Sequence, residues 1–76
     1  MDTRIIRQES FIQPDETEIT LRETEVKNPS EVSNPYIYER LVNGHRQGAY
    51  FCVERCIADK YYEQARKFEL SIGSKQ

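Results

Sequence analysis

Tryptophan is absent from this 76-residue chain, glycine occurs three times, cysteine twice and histidine once. Each scarcity excludes something. Gly44, Gly48 and Gly73 stand apart, so there is no glycine-rich loop of the kind that cradles a pyrophosphate. No apolar run approaches the ~18 residues of a membrane span. The opening Met-Asp-Thr-Arg is polar, unlike a secretory leader. A cytoplasmic protein without membrane contact is the expectation. An excess of positive charge is missing too, because the formal net charge is −2. Nucleic-acid binders draw affinity from neutralised phosphates and are usually far more basic.

The few chemically versatile residues do not assemble a reaction centre on paper. His45, Cys52 and Cys56 would supply three metal ligands where structural zinc takes four. A reactive cysteine needs a lowered pKa, whereas apolar neighbours raise it by desolvation. Cys52 and Cys56 lie four apart in a stretch that reads as helix, where Cβ atoms sit about 5–6 Å apart, longer than a relaxed disulfide accepts. Both are read as reduced and buried. Asp15 to Glu25 is acid-rich but lacks the central glycine of a calcium loop, and its acids Glu18, Glu23 and Glu25 read as the solvated side of a strand. The chain is therefore expected to be no enzyme, with no catalytic residues, no metal, no cofactor and no small-molecule substrate.

What is present is one small domain with 37% hydrophobic residues. A chain this short buries only about 60% of its unfolded surface. Standing alone, it should reach a net stability of roughly 5 kcal/mol or less, and docking on a partner would add to that. Charge is uneven along it, with eight acids against four bases up to Pro35 and five against seven beyond.

The pattern predicts an α+β fold. Ile5, Ile6, Phe11 and Ile12 precede Gln13-Pro14-Asp15-Glu16, a turn sequence, and Thr17 to Val26 then alternates, so residues 3–26 read as an antiparallel β-hairpin. Residues 27–33 read as a linker. Asn34-Pro35 suits the start of a helix and Asn43-Gly44 its end, giving a short helix over 34–43. The same Asn-Gly pair is also a strong hairpin signal, which would make Tyr36–Val42 and His45–Phe51 strands. The helix is preferred because Glu39, Arg40 and Leu41 are the better helix formers.

A long amphipathic helix over 48–70 and a frayed tail over 71–76 complete the chain. Its core face is expected to be Ala49, Cys52, Val53, Cys56, Ile57, Tyr61, Ala65 and Phe68. A second line at helical spacing, Phe51, Arg55, Tyr62 and Arg66, mixes aromatic and guanidinium groups, the residue types that supply interface energy. These four are the expected partner-binding residues of a protein-interaction module, a regulator or adaptor binding a larger protein or a second copy of itself. A small nucleic-acid-binding regulator, using arginine, lysine and tyrosine of the same helix, is the alternative.

Overall fold

A computed structural model describes residues 2–28 and 32–76. Four strands and one helix follow in order: β1 (Thr3–Ile12), β2 (Glu18–Val26), β3 (Tyr36–Val42), β4 (His45–Cys52) and α1 (Arg55–Ser71). The strands form one antiparallel sheet in sequence order, so β1 and β4 are its edges. The α+β class and the first hairpin match the sequence reading; the short helix over 34–43 does not, and neither does a long helix beginning at Gly48.

The first turn is built as its residues suggest. Glu16 donates its backbone N–H to the Gln13 carbonyl at 2.8 Å, and Asp15 accepts the Thr17 backbone N–H at 3.0 Å. Pro14 presets the turn, and Glu16 closes it in the left-handed region at φ 71°. The connection after β2 contains part of the 27–33 linker, of which residues 29–31 lie outside the described residues.

The second turn decides against the short helix. Asn43 and Gly44 have φ of 51° and 85°, as a two-residue hairpin turn requires. Asn43 also ties this hairpin to its neighbour, since its backbone N–H donates to the Glu18 carbonyl at 2.8 Å and its side chain accepts the Glu18 N–H at 3.0 Å. The helix propensities of Glu39, Arg40 and Leu41 are overridden by this turn and by pairing along β2. The hairpin then claims Ala49-Tyr50-Phe51-Cys52, aromatic and strand-prone, which reads equally as the start of a helix in isolation.

Two bulges re-aim side chains. In β1, Ile5 opposes Thr24 and Arg7 opposes Glu23, so Ile6 is the extra residue. In β4, Arg40 opposes Gly48 and Leu41 opposes Arg46, leaving Gln47 as the extra one. The first bulge turns Arg7, rather than Ile6, toward the helix.

Helix α1 lies over β2, β3 and β4. Its buried residues Ala58, Tyr62 and Glu69, with half-buried Ala65, mark one stripe at helical spacing. They meet a core of Phe11, Ile19, Leu21 and Tyr38. The helix ends in a glycine cap, with Gly73 at φ 87° and N–H groups of Ser74 and Gly73 donating to the carbonyls of Glu69 and Leu70. The tail does not fray: Lys75 pairs with Ile12 through backbone hydrogen bonds of 2.7 and 2.9 Å, and Ser74 is buried. The Cα radius of gyration, 12.9 Å, exceeds the ~11 Å of a compact chain of this length.

A Cβ at Gly44 would meet no atom within 4 Å, so only its left-handed backbone resists substitution. Gly44→Ala should cost about 1–2 kcal/mol in denaturant unfolding. A neutral effect would show that the turn does not hold the β3–β4 hairpin.

Candidate functional site

The four residues expected to bind a partner are not brought together. Tyr62 is fully buried and packs on Tyr38 with ring centroids 6.4 Å apart. Arg66 turns toward the sheet and pairs with Glu9 at 3.4 Å. Arg55, in the first helical turn, faces Asp59 at 3.9 Å. Phe51 is 58% exposed and lies on the sheet face away from the helix, its ring 5.7 Å from the Arg46 guanidinium. There it lines a cavity of about 230 Å³ with Val26, Val32 and Ile37.

The expected core stripe holds at Ala65, which packs against the core, and fails at most of its other positions. Ile57, Tyr61 and Phe68 are exposed, Val53 lies outside the helix, and Cys56 is exposed. Cys52 is buried, but at the end of β4, so the two cysteines do not share a helix face. Burial raises the Cys52 thiol pKa, and a hydrogen bond to Glu54 raises that of Cys56. His45 begins β4, roughly 23 Å along the extended strand from Cys52. Among the described residues, no group of three or more histidine, cysteine or acidic side chains is arranged to hold a metal ion. No helix among them is long and apolar enough to cross a membrane.

This departure follows from what the sheet presents to the helix. Strand alternation puts Glu23 in phase with Ile19 and Leu21, and it is buried rather than solvated. Arg7 answers it at 2.9 Å, bonds Glu63 at 2.7 Å, and lies 4.0 Å above the Tyr62 ring. The Tyr62 hydroxyl donates to Glu9 at 2.9 Å. Glu69 is buried with Gln13 and Ser74 as hydrogen-bond donors at 3.1 Å, and Arg40 lies 3.8 Å away. Burial would raise the Glu9 carboxyl, but bonds from Tyr62, Gln76 and Arg66 hold it below its ordinary range. Burial, and then the neighbouring Asp59 carboxyl, push Glu23 up to about 7 against the pull of Arg7.

The consequence is a helix with two unlike flanks. Asp59, Glu63 and Arg66 reach toward β1 through Arg7 and Glu9. On the opposite flank, at helical spacing, stand Ile57, Tyr61 and Phe68, all exposed. Tyr61 stacks on Tyr50 of β4 at 4.5 Å and 11°, and both rings lie beside buried Tyr38. Tyr50 and Phe68 are each 55% exposed. This aromatic and aliphatic flank, joined to the edge strand β4 through the Tyr61–Tyr50 stack, is the candidate functional surface. Its residue types were visible in the sequence as a stripe; only the side on which the stripe lies was not.

No family model matches the chain, and no curated protein or solved structure matches it either.

Two predictions follow from this geometry. Tyr62→Ala should cost about 3–5 kcal/mol, while Phe51→Ala stays within about 1 kcal/mol; equal effects in chemical denaturation would refute the assignment of Tyr62 to the core. Glu23 keeps its proton up to about pH 7 in the fold, but an ordinary glutamate releases it near 4.5. The folded chain therefore binds more protons in that window, and the contribution of Glu23, complete below it, is lost as pH rises through it. Relative to Glu23→Gln, the wild-type chain should lose up to about 3 kcal/mol between those pH values. A stability difference that does not change with pH would show that Glu23 is ionised throughout.

Proposed function

We propose that this chain is a non-enzymatic protein-binding module, a regulator or adaptor, whose contact surface is the β4 flank of α1. The observation that carries this reading is a set of exposed large side chains, Ile57, Tyr61 and Phe68, at helical spacing on one flank of α1, joined to the outer strand β4 by the stack of Tyr61 on exposed Tyr50. A strand edge offers backbone hydrogen bonds, and the adjoining apolar flank offers area to bury. Here the helix, which the sequence marks as the contact element, contributes its apolar side rather than the line of Arg55, Tyr62 and Arg66.

The arginines argue for the same reading over nucleic-acid binding. Arg4, Arg7, Arg40, Arg46, Arg55 and Arg66 each face a carboxylate of the chain itself. The charge of these six is compensated internally, which leaves Arg22, bonded to Gln8, and the exposed Lys60 and Lys67 of the helix to draw a phosphate backbone.

Tagged chain isolated from its host should retain bound protein through nuclease and high salt. An Ile57→Ser plus Phe68→Ser variant, still folded by circular dichroism, should lose it. Material released by nuclease or salt, or retained by the double variant, would overturn the reading.

A further inference from the structure

We propose that Tyr50 and Tyr61 form an oxidative modification site, at which a one-electron oxidant joins the two rings by a carbon–carbon bond and so ties the edge strand to the helix. The inference stands on the ring pair alone and is independent of the protein-binding reading.

The chain has five tyrosines, and the fold sorts them. Tyr38 and Tyr62 are buried, and the Tyr62 hydroxyl is committed to Glu9 at 2.9 Å. Tyr36 is half-buried at the start of β3. The two most exposed are Tyr50 and Tyr61, at 55% and 36%. These same two are stacked on each other, with ring centroids 4.5 Å apart and planes within 11°. The backbone holds both rings in place. Tyr50 lies in β4 opposite Tyr38, and Tyr61 is carried by the turn of α1 that the buried Ala58 and Tyr62 seat on the sheet. The Tyr38 ring lies beside both, at 6.2 and 6.3 Å, but is itself shut away from any oxidant in solvent.

Parallel rings this close are in van der Waals contact, so two phenoxyl radicals formed on them meet without a search. Each phenol gives one electron to the oxidant and its hydroxyl proton to solvent. The radicals couple at ring carbons beside the hydroxyls, and the hydrogen on each of those carbons then moves to the oxygen as the phenol is restored. The pair loses two hydrogens in all. A haem peroxidase with hydrogen peroxide belongs to the required class of oxidant: one peroxide takes up the two electrons and two protons and leaves as two waters. The new bond closes a loop across the junction of β4 and α1, which restricts the unfolded chain as a disulfide does.

The test is peroxidase with hydrogen peroxide on the dilute full chain, followed by a thiol reductant to reverse any disulfide, then mass spectrometry and tryptic mapping. The expected product is a monomer two hydrogens lighter, with the fluorescence of dityrosine, in which peptide 47–55 is joined to peptide 61–66. Its midpoint in urea should lie above that of the untreated chain. Tyr50→Phe and Tyr61→Phe, each still folded by circular dichroism, should lose the joined peptides, and Tyr36→Phe should keep them. A link that survives Tyr61→Phe, or that joins peptide 47–55 to peptide 28–40, would place the coupling on another tyrosine and overturn the proposal. So would dityrosine formed only between chains, or tyrosine consumed with no joined peptide in the wild-type digest.

Discussion

The rest of the structure depends on the Arg7 guanidinium, held between Glu23 of the central sheet and Glu63 of the helix, with the Tyr62 ring beneath it. A buried carboxyl group without a hydrogen-bond partner is costly in either protonation state, and Glu23 sits at the heart of the sheet face that must receive the helix. One cation from the edge strand answers it. That cation reaches inward because β1 bulges at Ile6, so an irregularity in an outer strand fixes how the helix docks on the others. With Glu63 and Asp59 drawn toward β1, the rotation of α1 is set, Tyr61 meets Tyr50 of β4, and Ile57 and Phe68, on the same flank, are left exposed.

This ordering inverts the usual partition of polarity. The layer between helix and sheet contains Glu9, Glu23, Arg7, Arg40 and Glu69 around a small apolar centre, while several of the largest apolar side chains face out. Glu23 holds one oxygen buried without a hydrogen-bond partner among the described residues, an environment in which a carboxyl keeps its proton. The titration of Glu23 is thereby shifted upward, in a group that lines neither the cavity beside Phe51 nor the exposed flank.

The sequence exposed the elements more clearly than their assembly. The first hairpin was legible because Pro14-Asp15 is flanked by alternating runs, and the C-terminal helix because apolar residues recur at three and four. The β3–β4 hairpin was present as a rival reading of Asn43-Gly44, and local propensity chose wrongly because pairing with β2, a contact distant in sequence, outweighs the helix preference of three residues. The helix face was misjudged for a related reason. Hydrophobicity ranks Ile57 and Phe68 above Ala58 and Glu69 and cannot separate Tyr61 from Tyr62, yet the sheet surface needs a hydroxyl for Glu9 and an acid near Arg40. One signal could have found this. Glu23 is in phase with Ile19 and Leu21, so alternation alone places an acid on the apolar side of β2 and implies a cation opposite.

An apolar flank displaced to one edge constrains what can cover it. A helix or loop of the same chain would have to cross the β4 edge to reach it, and the chain leaves α1 on the other side, where Lys75 pairs with Ile12 of β1. The described residues thus offer no segment of their own to that flank. A body that extends the sheet reaches edge and flank together, with backbone hydrogen bonds setting its direction and Tyr50, Tyr61 and Phe68 supplying on the order of 1 kcal/mol each from the area still exposed. In a chain of 76 residues with a small core, that gain is comparable to the stability of the domain itself. On the proposed protein-binding reading, folding and association are coupled through the same helix: the ion pairs that seat it on one side leave exposed the surface that a partner would complete on the other.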